Sequence, residues 1–331
     1  MRYVKMQKTD WEVSVVGFGA WAIADPNTWG PQDENTAIQA VRAAADEGVN
    51  LFDTAPGYGD GLSEQLMGRA LKEVRDRVLI ATKVPSAAAG AARLRAACEE
   101  SLRNLGTDWI DLYQVHWPSP RVPLAETLGA LDALRAEGKI RAYGVCNFGT
   151  RDLGPGLRPK RFAVVSNQLA YNLLFRAIEF EILPFCARNQ INVFCYSPLM
   201  MGLLTGKFAT PDAVPDGRAR TRHFSAERPG TRHDEPGAEA ATFDALRRID
   251  DIARDVGEPI GHVALAWLLG QPGVTGVIAG ARSPFQARRN ARAGSLVLPA
   301  GVLKELAEAT APLKKQLGPN ADMWQRASRI R

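Results

Sequence analysis

Short apolar, β-branched runs alternate with alanine-rich amphipathic stretches along almost the whole chain. The runs, bounded by polar or glycine positions, predict strands at 15–19, 50–53, 78–83, 110–115, 140–146, 163–169, 191–196 and 274–280. Between them the spacing predicts helices at 33–47, 63–72, 88–104, 123–137, 150–155, 179–189 and 243–270, the last region holding two. Further helices fall at 284–292 and 301–310. Gly48 and Gly138 stand where helices end in the left-handed conformation, and Ser63 is placed to cap the helix after it. Strands alternating with helices imply right-handed parallel crossovers. Eight such units fit a closed (β/α)8 TIM barrel, a parallel eight-stranded barrel with outer helices, better than an open sheet. The expectation is one domain over 1–331, with a long loop at about 209–238 and a C-terminal tail at about 311–331. That loop is polar and rich in Pro, Gly and Arg, and order and disorder are both open for it.

Composition narrows the class. With 331 residues, 46% hydrophobic and 23% charged, the chain can bury one large core. A formal net charge of +5 is mild and not gathered into a stripe, which speaks against nucleic acid. No apolar run approaches the ~20 residues of a membrane span, and the N-terminus lacks a secretory core. Cys98, Cys146, Cys186 and Cys195 form no CxxC pair and show no metal-ligand spacing, so buried thiols in a reducing compartment are expected. The expectation is a cytoplasmic protein with a small-molecule partner and no resident metal. Its oligomeric state is not legible.

Asp53, Lys83 and His116 end three successive strand candidates, and Tyr58 follows in the loop after Asp53. In a parallel barrel all strand C-termini open onto one face. One pocket would then receive a carboxylate, a phenol, an amine and an imidazole. Singly, each has a bland reading: a turn cap, a loop aromatic, a solvated strand end, a core histidine. Together they suit proton transfer to an oxygen, with the ammonium lowering the phenol pKa from its usual value of about 10. A carbonyl protonated on oxygen must gain hydride on carbon, which calls for a nicotinamide.

The run from Leu51 to Gly59, continuing through Ser63 and Glu64 to Gly68, resembles a signature of the aldo-keto reductases. Ala81-Thr82-Lys83-Val84 and Leu112 to Trp117 are similar to the family's next two signatures. The resemblance implies a barrel that binds NADPH in extended form, with Tyr58 as general acid, Lys83 and Asp53 tuning it, and His116 orienting the carbonyl. It also implies that Asn147, Ser166 and Gln168 lie at the carboxamide and that Tyr196 stacks on the nicotinamide. By the same likeness Ser197, Leu199, Gly202 and Lys207 wrap the pyrophosphate, and Gly280, Arg282, Gln286 and Asn290 hold the adenosine phosphate. Gly19, Trp21 and Asp53 complete the cofactor set. Arg282 is expected to fork onto a 2′-phosphate. The chain departs from the family where Arg289 precedes Asn290 in place of the usual Glu. Arg288 and Arg289 either add positive charge there or form a solvated face.

On the substrate side, Trp21, Trp29, Tyr58, His116 and Trp117 are candidates for an aromatic mouth, joined by Met323 or Trp324. The leading reading is an NADPH-dependent reductase of aldehydes or ketones. A non-enzymatic NADP(H)-binding regulatory or redox-sensing subunit on the same fold is the alternative. A phosphate-handling isomerase or lyase is a third reading, and it predicts no nicotinamide binding.

Overall fold

The computed structural model describes residues 1–154 and 162–331. A short antiparallel hairpin comes first, β1 (Tyr3–Lys5) and β2 (Glu12–Ser14). Eight parallel strands follow: β3 (Val16–Gly19), β4 (Leu51–Asp53), β5 (Leu79–Val84), β6 (Ile110–Val115), β7 (Ile140–Cys146), β8 (Val164–Ala170), β9 (Asn192–Tyr196) and β10 (Val274–Gly280). They close into a barrel in chain order, with β10 pairing to β3. The fold is thus the (β/α)8 barrel expected from the alternation.

The hairpin was not expected. Its strands span three residues each, with a single aliphatic residue in each, so no apolar run marks them in the sequence. Its role is plain from packing: Met6, Trp11 and Val13 form an apolar cluster with Leu51, Leu79, Leu112, Phe194 and Ile278 of the barrel strands. That cluster plugs the N-terminal end, so side chains beyond the opposite strand ends face the one open mouth.

Helices cover the barrel outside. Glu34–Asp46 starts where Asp33 accepts the amide of Thr36 at 2.7 Å, and Ala91–Leu105 ends at left-handed Gly106. The 243–270 region splits into Glu239–Val256 and Ile260–Leu269, broken by left-handed Gly257 and Pro259. Ser63 corrects an expectation. The helix is Leu62–Leu71, capped by Gly61, and Ser63 lies inside it, fully buried. Its hydroxyl shares a 2.7 Å hydrogen bond with Thr54 and reaches the carbonyl of Ala20, tying the helix to the strand ends instead of capping it. The helix expected at 150–155 is a single turn, Thr150–Leu153, and position 155 lies outside the described residues. The tail region opens with an additional short helix, Ala311–Leu317.

The 209–238 segment holds only short turns but is ordered by its own polar contacts. Arg222 pairs with Glu235 and donates to the carbonyl of Leu317. His223 and Leu174 O are 2.9 Å apart, and Arg228 pairs with Glu239. Among the described residues no helix is long and apolar enough to cross a membrane.

Candidate active site

The strand C-termini open into a cleft of about 710 Å³, within the usual range of ligand sites. Register sets its floor. Gly19 pairs with Asp53 and Lys83 with Gln114, all four at or within two residues of their strands' C-terminal ends, so adjacent strands deliver them to the same end of the barrel.

Lys83 has no exposure, and a buried ammonium needs every donor satisfied. Its Nζ meets Asp53 Oδ1 at 2.6 Å, the carbonyl of Thr54 at 2.8 Å and Tyr58 Oη at 3.4 Å. The other Asp53 oxygen accepts from Gln168 at 2.8 Å and Gln114 at 3.4 Å. Tyr58 is aimed by a tight loop in which its amide donates to Ala55 O and its carbonyl accepts from Ser63 N. The His116 ring stands edge-on to the Tyr58 ring, with centroids 6.0 Å apart. The backbone of His116 is fixed on both sides, its amide donating to Val84 O and its carbonyl accepting from Asn147 Nδ2. The structure therefore brings Asp53, Tyr58, Lys83 and His116 together at one point.

Their electrostatics differ from the sequence expectation in one respect. Burial pushes the Tyr58 phenol up to about 12, and the pull of Lys83 only partly offsets it. The net direction is up, not down. Burial works against the Lys83 charge too, yet Asp53 and Tyr58 outweigh it and raise that ammonium above its ordinary value. Burial, then Lys83 and Arg329, hold His116 down to about 3. Near neutrality the cluster is a protonated phenol, a charged ammonium and a neutral imidazole.

Gly19, Trp21, Asp53, Asn147, Gln168 and Tyr196 line the deep end of the cleft. Tyr196 donates to Asn147 Oδ1 at 2.9 Å. Asn147 adopts a left-handed backbone, as do Ser197, Met200, Met201 and Gly202 just beyond β9. Such a run at a pocket wall is a strain that functional sites tend to retain. A Cβ on Gly202 would also come within 2.7 Å of Lys207 Nζ. Ser166 is buried without being part of the cleft wall, and its hydroxyl has no hydrogen-bond partner among the described residues.

Further out, Ser197, Leu199, Gly202, Lys207, Gly280, Arg282, Gln286 and Asn290 form the walls. Lys207 reaches into the cleft wall, and partial burial followed by repulsion from Arg218 and Arg282 brings its ammonium down to about 8. The Nε of Arg218 is buried with no hydrogen-bond partner among the described residues. Among the described residues that line the cleft, Asp53 is the only carboxylate. Crowded cations without an acid are what a polyanion would relieve.

Arg282 sits differently from the expected phosphate fork. Its guanidinium donates to Gln32 Oε1 at 2.8 Å, to Gly30 O at 3.1 Å and to the carbonyls of Trp29 and Pro31. It fastens the 29–32 segment over the cleft. Arg288 leans toward Glu47 at 3.8 Å, while Arg289 lines the cleft with no ion pair or hydrogen bond among the described residues.

The mouth is aromatic. Trp21 packs edge-on to Trp29 and Trp324 at 5.5 and 6.3 Å and tilts against Tyr58. From the tail it is Trp324 that lines the cleft; Met323 is buried elsewhere. Trp117 lies under the guanidinium of Arg329. Sequence reasoning passed over Gln114 and Arg329. Gln114 carries a signal in hindsight, a polar residue near the C-terminal end of a strand. Arg329 lies in a tail whose path no pattern fixes.

A model of the aldo/keto reductase family matches residues 15–311. Aldo-keto reductase YhdN of Bacillus subtilis is 38% identical over 301 residues, covering 86% of this chain and 86% of that one. The NADH-specific methylglyoxal reductase of Escherichia coli is 34% identical, covering 93% of this chain and 99% of that one. Among solved structures, an aldo/keto reductase from Klebsiella pneumoniae in complex with NADP and acetate superposes with a TM-score of 0.71 at 31% identity, covering 99% and 98% of the two chains. The glycerol dehydrogenase of Gluconobacter oxydans superposes with a TM-score of 0.80 at 30% identity over 96% of each chain. With its barrel, its strand-end cluster and these relatives, the chain belongs to the aldo/keto reductase family, oxidoreductases that use a nicotinamide cofactor.

Proposed function

We propose that this protein reduces an aldehyde or ketone to the alcohol with NADPH, Tyr58 supplying the proton. The observation that carries the reading is the buried Lys83 contacting both Asp53 and Tyr58. The residues present fit the cofactor. The cations around Lys207 match its phosphates, the left-handed backbone at Ser197 and Met200–Gly202 shapes the wall beside them, and Gln168 and Asn147 offer amides at the deep end. When bound, NADPH supplies hydride to the carbonyl carbon.

The chain's own residues do the rest. Neutral His116 donates a hydrogen bond that orients the carbonyl oxygen toward Tyr58. As negative charge develops on that oxygen, the Tyr58 proton transfers to it. The Lys83 ammonium stabilises the phenolate left behind, and Asp53 keeps that ammonium in place. Trp21, Trp29 and Trp117 exclude water from the reacting oxygen. Stabilisation of the phenolate matters most at this step, because burial alone would leave the phenol a weak acid.

Cofactor preference is assigned to NADPH. Arg289, lining the outer cleft with no ion pair or hydrogen bond among the described residues, is a guanidinium available to a 2′-phosphate. The NADP-bound Klebsiella enzyme supports this choice, while the NADH-specific relative makes it worth testing. The test is a screen of small aldehydes and ketones following NADPH absorbance, with NADH in parallel. Turnover with NADPH above NADH is expected. Cofactor binding without reduction of any carbonyl would turn the reading to a non-catalytic sensor.

A further inference from the structure

The tail from 318 onward runs as a strap across the mouth. Asn320 donates to the carbonyls of Gln325 and Arg326, each at 3.0 Å. The strap ends at Arg331, whose carbonyl accepts the amides of Arg151 and Asp152 at 2.8 and 2.9 Å. Its amide donates to the Asp152 carboxylate at 2.6 Å. Between these fastenings lies Arg329. Its Nε and Nη2 grip the fully buried Asp322 at 2.7 and 3.0 Å, and its Cζ sits 3.6 Å from the centre of the Trp117 ring. A long flexible side chain is thereby fixed before any ligand arrives, which removes most of the entropic cost of using it.

The free edge of that guanidinium faces the cleft. Arg329 lines it together with Tyr58, His116 and Trp117, and its side chain remains 33% exposed. Nη1 has no acceptor among the described residues. Its charge reaches His116 strongly enough to help keep that imidazole neutral. Arg220, over the Trp324 ring, and Arg232 add positive charge at the same mouth. Lys207, Arg218 and Arg289 also line the cleft and are available to the phosphates of a cofactor, which leaves Arg329, beside Tyr58 and His116, for a second anion.

We propose that this cleft selects carbonyl substrates that carry an anionic group, a carboxylate or a phosphate, and that Arg329 anchors that group while the carbonyl lies at Tyr58 and His116. The inference rests on the carbonyl-reductase reading. The anion takes no part in the redox step: hydride adds to the carbonyl carbon, the carbonyl π pair moves to oxygen, and that oxygen takes the Tyr58 proton. A planar donor edge favours two parallel hydrogen bonds to such an oxyanion.

The test compares matched pairs by kcat/KM with NADPH: 4-oxobutanoate against butanal, and glyceraldehyde 3-phosphate against glyceraldehyde. An advantage of about 10- to 100-fold for the charged member of at least one pair is expected, carried mainly by KM. Whichever pair shows it identifies the anion as carboxylate or phosphate. In Arg329→Met the ratio within that pair should fall toward one, and in Arg329→Lys it should fall only partly. Because Arg329→Met strands the buried Asp322, the double variant Arg329→Met with Asp322→Asn is measured beside it and should lose the ratio equally. Ratios near one for both pairs in the wild type would overturn the proposal, as would a ratio that survives in the double variant. Absence of turnover on every carbonyl would instead remove the reductase reading beneath it.

Discussion

At the residue scale, Lys83 has two tasks that one substitution separates. It pairs with Asp53, and it stabilises the Tyr58 phenolate. Lys83→Met leaves Asp53 buried with only the two glutamine amides as donors, so a loss of roughly 3–5 kcal/mol in stability is expected by denaturant titration. Restoring stability with Lys83→Met plus Asp53→Asn should not restore reduction, because the phenolate still lacks its cation. A fully active double variant would show that the pair is structural only. The pH profile is a second residue-scale expectation. Tyr58 keeps its proton up to about 12, and burial with nearby cations keeps His116 neutral down to about 3. Neither titrates in the neutral range, so kcat/KM for reduction should be nearly flat between about pH 5 and pH 9. A limb near the ordinary histidine value that disappears in His116→Gln would mean that His116 works as the imidazolium.

At the scale of elements, the outer cleft separates two arginines that the sequence presents as alike. Arg289→Ala should weaken NADPH binding by about 1.5–3 kcal/mol and leave NADH almost unchanged, since only NADPH carries the 2′-phosphate. Arg282→Ala should weaken both cofactors together, because it releases the 29–32 segment from its carbonyl contacts. Titration of each variant with both cofactors checks this, and the reverse pattern would return the phosphate to Arg282. The 209–238 loop makes a different prediction. His223 is fully buried between Thr221 and the carbonyl of Leu174, and burial brings its imidazole down to about 4. The unfolded chain binds this proton near pH 6.5 and the folded chain only near pH 4. Its contribution is therefore complete above the unfolded value and is lost as pH falls through that window, by roughly 3 kcal/mol at most. Hydrogen-exchange protection in the loop, corrected for the intrinsic exchange rate at each pH, should fall between pH 7 and pH 5 in the wild type and much less in His223→Gln. An equal fall in both would assign the effect to other groups.

At the scale of the molecule, what could be read in advance follows from period. Apolar runs wrote the barrel strands into the sequence, and the strand-end residues Asp53, Lys83 and His116 came with them. The hairpin β1–β2 was missed because each of its short strands holds a single aliphatic residue and no apolar run, although it plugs the lower end of the barrel. The carbonyl contacts of Arg282 went unread for a related reason. A guanidinium beside a helix start reads as an anion site, but its acceptors come from carbonyls about 250 positions away, which no local pattern encodes. The same holds for Arg329, placed at the mouth by a strap whose clip is the start of the Thr150–Leu153 turn. Local chemistry was legible; contacts between distant loops were not.

The central claim is that Tyr58 delivers the proton in a reduction whose hydride comes from NADPH. The most direct measurement is a single-turnover comparison of wild type and Tyr58→Phe with saturating NADPH and one aldehyde that the wild type reduces. Cofactor affinity is followed in the same samples by quenching of tryptophan fluorescence. The account predicts NADPH binding within a few-fold of wild type and a reduction rate lower by about 10²–10⁴-fold. A Tyr58→Phe protein that binds NADPH and reduces the aldehyde at the wild-type rate would contradict it.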